Sequence, residues 1–123
     1  MRLHTKQDVK SVSQLLMMAR DELRAHGWAQ FTLESITGCL CLTGAVSRVC
    51  QTSFVPNDVL RKAVATLQHI INTNCSQCRP YKRTPIDGGI QVHNDFHITD
   101  GTEAEILLHA AAQYARAHAD SNR

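Results

Sequence analysis

The stretch that decides the fold is residues 57–72, NDVLRKAVATLQHIIN, in which Leu60, Ala63, Val64, Leu67, Ile70 and Ile71 recur at three- and four-residue intervals. That spacing puts them on one face of an α-helix, and Asn57, directly after Pro56, is a candidate N-cap. It is the clearest amphipathic pattern in the chain, and the segments on either side repeat it. Upstream, Val12, Leu15, Leu16, Ala19 and Leu23 predict a helix over 11–26, with Ser11 to cap its start and Gly27 to end it. Trp28, just past that glycine, is expected to fold back against the last turn. Cys39, Leu42, Val46 and Val49 predict another helix over 37–50, in which Gly44 and Ala45 leave room for a neighbour.

Downstream the pattern lapses. Residues 72–89 are polar, carry Pro80 and Pro85, and end on Asp87-Gly88-Gly89, which reads as a long loop. Ile90 and Val92 alternate with polar neighbours, as in one short strand or hairpin. After Asp100-Gly101 a final helix is expected, opened by a capping box of Thr102 and Glu105, with Leu107, Ala110, Ala111, Tyr114 and His118 along one face. The expected fold is therefore mainly α. It is a single small domain of about four helices over 11–119, with a loop region at 72–100, an N-terminal extension at 1–10 and a frayed tail at 120–123.

Composition narrows the function classes. The chain has 123 residues, enough for one core, and a formal net charge of +2, too small to demand a nucleic acid or anionic membrane partner. No apolar run approaches the ~18 residues of a membrane span, and MRLHTKQDVK lacks a signal peptide's apolar centre, so a cytoplasmic location is expected. Five cysteines, an odd number, in a reducing compartment argue for burial or metal binding over disulfides. Cys39, Cys41 and Cys50 sit among apolar residues and read as small buried hydrophobes.

Cys75 and Cys78 lie in a polar run and are followed by His93 and His97, in the spacing C-x2-C-x14-H-x3-H. Two thiolates and two imidazoles suit tetrahedral zinc, which would clamp the loop structurally. Cys41 and His69 are alternative ligands. The intervening prolines and glycines do not suit a DNA-reading finger. The run His93-Asn94-Asp95-Phe96-His97 admits an enzyme reading, in which Asp95 orients a histidine base and Cys39, Cys41, Cys75 or Cys78 supplies a thiol. The competing reading makes Asn94 and Asp95 turn-formers ahead of the final helix. Arg79, Tyr81, Lys82 and Arg83 form a basic, one-aromatic cluster able to contact phosphates or a partner.

His26-Gly27-Trp28, Cys39-Leu40-Cys41-Leu42-Thr43-Gly44-Ala45, His93-Asn94-Asp95 and Thr102-x-x-Glu105 together resemble a domain family of unknown function found in actinobacteria and their phages. The resemblance spans roughly 13–118, and the chain departs from the pattern in having His93 where tryptophan is usual and in carrying the cysteine pair. It implies a compact helical fold and a bacterial or phage origin, and adds no reaction. The function expected first is a non-enzymatic helical interaction module that binds a bacterial or host protein, with a second copy of the chain as a further candidate partner. A metal-dependent or Cys/His enzyme centred on His93, Asp95 and His97, and a nucleic-acid-binding regulator using loop 79–83, are the alternatives.

Overall fold

A computed structural model describes residues 7–31, 34–75 and 90–119. Among these, five helices and one small sheet occur, in the order β1 (Gln7–Asp8), α1 (Val12–His26), α2 (Leu42–Thr52), β2 (Ser53–Phe54), α3 (Asn57–Asn74), α4 (Ile90–Phe96) and α5 (Gly101–Ala119). The domain is mainly α, as the periodicity requires.

Helix α1 forms where its apolar spacing places it. The Ser11 hydroxyl accepts from the Gln14 amide at 3.1 Å, and Leu15, Leu16, Ala19 and Leu23 are buried. These side chains pack chiefly against α5, whose inward positions are Ala104, Leu108, Ala111 and Ala112. The small alanines let the two helices approach, and two polar contacts tie their rims. Arg24 Nε donates to Glu105 Oε1 at 2.7 Å, and the Arg20 guanidinium donates to His109 Nδ1 at 2.9 Å. Helix α3 lies against both, burying Val59, Ala63, Leu67 and Ile71, while Leu60, Val64 and Ile70 pack partly buried at the edge. One continuous core results, to which each fully buried leucine contributes about 1.5–3 kcal/mol.

Five expectations are corrected. Helix α2 begins at Leu42, because residues 35–40 form a turn: Ser35 Oγ accepts from the Cys39 amide at 3.0 Å, Gly38 has φ +91°, and Leu40 N donates to Gly27 O at 2.7 Å. Cys41 becomes its N-cap, accepting from the Gly44 amide at 3.2 Å. Asn57 is the first helical residue of α3, since Pro56, with φ −60° and ψ 145°, already holds the extended cap geometry. Ile90 and Val92 belong to α4 and not to a strand, because two alternating residues are too short a run to set a period against the helical register that buries Ile90 and Asn94 four residues apart.

The box expected from Thr102 and Glu105 is built instead by Asp100 and Glu103. Asp100 Oδ1 accepts from the Glu103 amide at 2.9 Å, and Glu103 Oε2 accepts from the Thr99 amide at 3.1 Å. The buried face of α5 runs through Ala104, Leu108, Ala111 and Ala112, with Leu107 partly buried beside it. Finally, residues 7–9, expected outside the domain, are part of it. Gln7 and Asp8 pair in parallel with Ser53 and Phe54, Val9 N donates to Phe54 O at 2.9 Å, and Val9 is buried in the core. The 76–89 part of the expected loop, and the tail 120–123, lie outside the described residues.

Candidate functional site: the face of α4

The seven-residue helix α4, IQVHNDF, brings together most of the motif residues. Its inward face carries Asn94, which is fully buried and uses its whole hydrogen-bonding capacity. Oδ1 accepts from Trp28 Nε1 at 2.8 Å and from the Leu42 amide at 3.1 Å. Nδ2 donates to Ala29 O at 3.0 Å and to Asp95 Oδ1 at 3.0 Å. One amide group thus joins the exit of α1, the entry of α2 and α4. Trp28 is the corresponding anchor: it bonds Asn94 and its Cβ packs on Gly101, where an added methyl would lie 3.1 Å away. It spans to α4 and α5 instead of only closing the last turn of α1.

Asp95, nearly buried, accepts the Phe31 amide on Oδ1 at 2.7 Å, and its backbone carbonyl accepts from Gln30 Nε2 at 3.0 Å. Asn94 and Asp95 therefore satisfy backbone amides far away in the chain, those of residues 42 and 31. Phe31 is held at φ +65°, a conformation a bulky residue adopts at a cost of about 1–3 kcal/mol. The ring so presented is 66% exposed and meets Phe96, 68% exposed, edge to face with centroids 5.3 Å apart. Two solvent-facing aromatic rings thus stand side by side on a base clasped by the Asn94 and Asp95 hydrogen bonds.

His93 and His97, one helical turn apart, have ring centroids 5.8 Å apart. Burial of the His93 ring pushes its pKa below the usual imidazole value, His97 reinforces the shift by repulsion, and Glu103 opposes it. A base whose pKa is lower folded than unfolded takes up its proton more readily in the unfolded chain. Stability is then full above the unfolded value of about 6.5 and is lost as pH falls below it. The urea midpoint is expected to drop between pH 7.5 and pH 5.5, and His93→Gln is expected to remove part of that drop. An unchanged acid slope in the variant would refute the assignment.

Cys75 caps the C-terminus of α3, and Cys78 lies outside the described residues. Among the described residues no group of three or more His, Cys, Asp or Glu side chains is placed to hold a metal ion, so Cys75 does not join His93 and His97 in a three-ligand cluster. The alternative ligand His69 packs instead against Tyr114, with centroids 4.9 Å apart. Arg79, Tyr81, Lys82 and Arg83 also lie outside the described residues. Cys41 is fully buried and its thiol pKa is pushed up chiefly by that burial, the setting of an unreactive cysteine and not of a nucleophile. Burial likewise raises the Cys50 thiol.

Phe31 and Phe96 were not singled out by sequence spacing. The signal that reaches them is the helical register of residues 90–98: with Ile90, Asn94 and Ile98 facing inward at four-residue intervals, Phe96 must face out.

Fold and site together define a small helical domain, organised around a buried asparagine clasp and displaying an aromatic pair. The chain belongs to a family of unknown function (DUF6197), whose model matches residues 7–114. No curated protein and no solved structure matches it. No helix among the described residues is long and apolar enough to cross a membrane.

Proposed function

We propose that this domain is a non-enzymatic interaction module, bacterial or phage in origin and acting in the cytoplasm, that binds a protein partner through the Phe31–Phe96 face. One observation carries the reading: Phe31 is held in a strained backbone conformation by the Asp95 carboxylate, and the outcome of that strain is an aromatic ring 66% exposed beside a second one. Strain and apolar exposure both cost the free domain stability, and a partner that covers the rings recovers the exposure term. Aromatic side chains on a preorganised base are also the usual centres of binding energy in interfaces. Two of the groups that an enzyme reading would use have structural surroundings that support the same conclusion: Asp95 Oδ1 accepts from both the Phe31 amide and Asn94 Nδ2, and Cys41 is buried.

Phe31→Asn combined with Phe96→Ser tests it. Asparagine tolerates positive φ, so the variant keeps the fold while removing both rings. Cross-linked capture from a bacterial lysate, run in parallel for the two proteins, is expected to return a discrete partner with the parent chain and to lose it with the variant. The corresponding loss of affinity is about 30-fold or more, with a thermal midpoint equal to or above that of the parent. Identical captured sets, or a variant that unfolds, would overturn the role given to these rings.

A further inference from the structure

On a surface separate from α4, the first turns of α1 and α3 and the last turns of α5 enclose an open cleft of about 930 Å³. Its charged lining is unbalanced. Among the described residues, Lys10, Lys62 and Arg116 face it against a single carboxylate, Asp58. Asp58 sits in the first turn of α3, where it complements that helix's own N-terminus. The three cations make no ion pair among the described residues, whereas Arg20, Arg24 and Arg48 each have a carboxylate partner.

The first turn of α1, also in the lining, contains no acidic residue, so its amide dipoles add to the positive potential instead of being offset. One wall is flat: the exposed His118 ring stacks on Tyr114 at 3.8 Å with an interplanar angle of 21°. Apolar side chains, Met17 and Val59 among them, complete the lining. The volume is that of a site for a small organic ligand.

We propose that this cleft binds a mononucleotide: its phosphates lie among Lys10, Lys62 and Arg116 beside the start of α1, and its base lies against the His118–Tyr114 wall. Each half of such a ligand has a counterpart in the cleft. Phosphate oxygens are stabilised by cationic side chains and by a helix N-terminus, and a planar base gains from stacking on a ring. The reading is independent of the aromatic face on α4, and either can fail alone.

Calorimetric titration of the full chain at low salt, with ADP, inorganic phosphate and adenosine as separate probes, tests the inference. ADP is expected to bind about 10-fold or more tightly than either fragment, because both halves of the cleft then contribute. Lys62→Glu with Arg116→Glu should weaken ADP by about 30-fold or more, and raising the salt should weaken it further. His118→Ala should remove the margin of ADP over phosphate while leaving phosphate binding in place. Arg61→Glu, an exposed change on α3 outside the cleft, should leave ADP affinity within about twofold at moderate salt. All of these positions are exposed, so the thermal midpoint of each variant confirms that it is folded. No heat with millimolar ADP would overturn the proposal. So would adenosine binding as tightly as ADP, or affinity that survives the double charge reversal.

Discussion

Replacing Asn94 with alanine is expected to lower the free energy of unfolding by about 3–5 kcal/mol, a large share of what a domain of this size holds. The substitution leaves the buried Leu42 amide and the partly buried Ala29 carbonyl and Trp28 indole N–H without their partner. Each orphaned buried group costs about 1–3 kcal/mol, and water entering the small void offsets part of the sum. Urea unfolding followed by the fluorescence of Trp28, the single tryptophan, reads both the loss and its location.

Asn94→Asp sharpens the test. The shape and one acceptor survive, but a carboxylate oxygen now faces Ala29 O and Asp95 Oδ1 where Nδ2 donated to both at 3.0 Å. Repulsion raises the new carboxyl's pKa in the folded state, so the penalty is expected to shrink as pH falls and the group regains a proton to donate. A loss below about 1 kcal/mol in Asn94→Ala would show that the clasp is not what joins the three segments.

Gly27→Ala is expected to cost about 2–4 kcal/mol, from two separable causes. The backbone there has φ +89° and ψ 165°, a region open in practice to glycine alone, and an added Cβ would lie 3.0 Å from Cys39 Sγ. Combining Gly27→Ala with Cys39→Ala relieves the contact and leaves the backbone strain, so recovery should be partial. Gly38→Ala isolates the other half: φ is +91° and nothing lies within 4 Å, so its cost should stay near that of the backbone alone. If Gly27→Ala and Gly38→Ala prove equally costly, the sulfur contact contributes nothing. Chemical denaturation of the four proteins decides the matter.

These residues show how legible the domain was. Helices α1 and α3 could be read directly, because their apolar residues repeat over about three turns and each start has a local signal, Ser11 in one and the Pro56-Asn57 step in the other, where the cap proves to be Pro56. The mainly α class follows from them. Helix α4 could not be read as such, since seven residues give too few repeats, and its polar Asn94 sits where a core position would be expected to be apolar. That asparagine is tolerated in the core because its four partners come from residues 28, 29, 42 and 95. The first three are more than 50 positions upstream of it, a separation that no local pattern encodes. The zinc spacing shows the same limit: intervals along the chain cannot say whether ligands meet, and among the described residues Cys75, His93 and His97 do not form a three-ligand cluster, while Cys78 lies outside them.

The order of residues alone determined the helical character, the places where α1 and α3 run, and the absence of a long apolar span, because these depend on periodicity within a few turns. Tertiary structure decided which of the polar motif residues became buried partners and which aromatic rings were left in water. It also decided that Lys10, Lys62 and Arg116, from three separate helix ends, would face one cleft. The physical reason is the same in each case: hydrogen bonds, burial and electrostatic fields act across space at a few ångströms, and only the packed chain sets those distances.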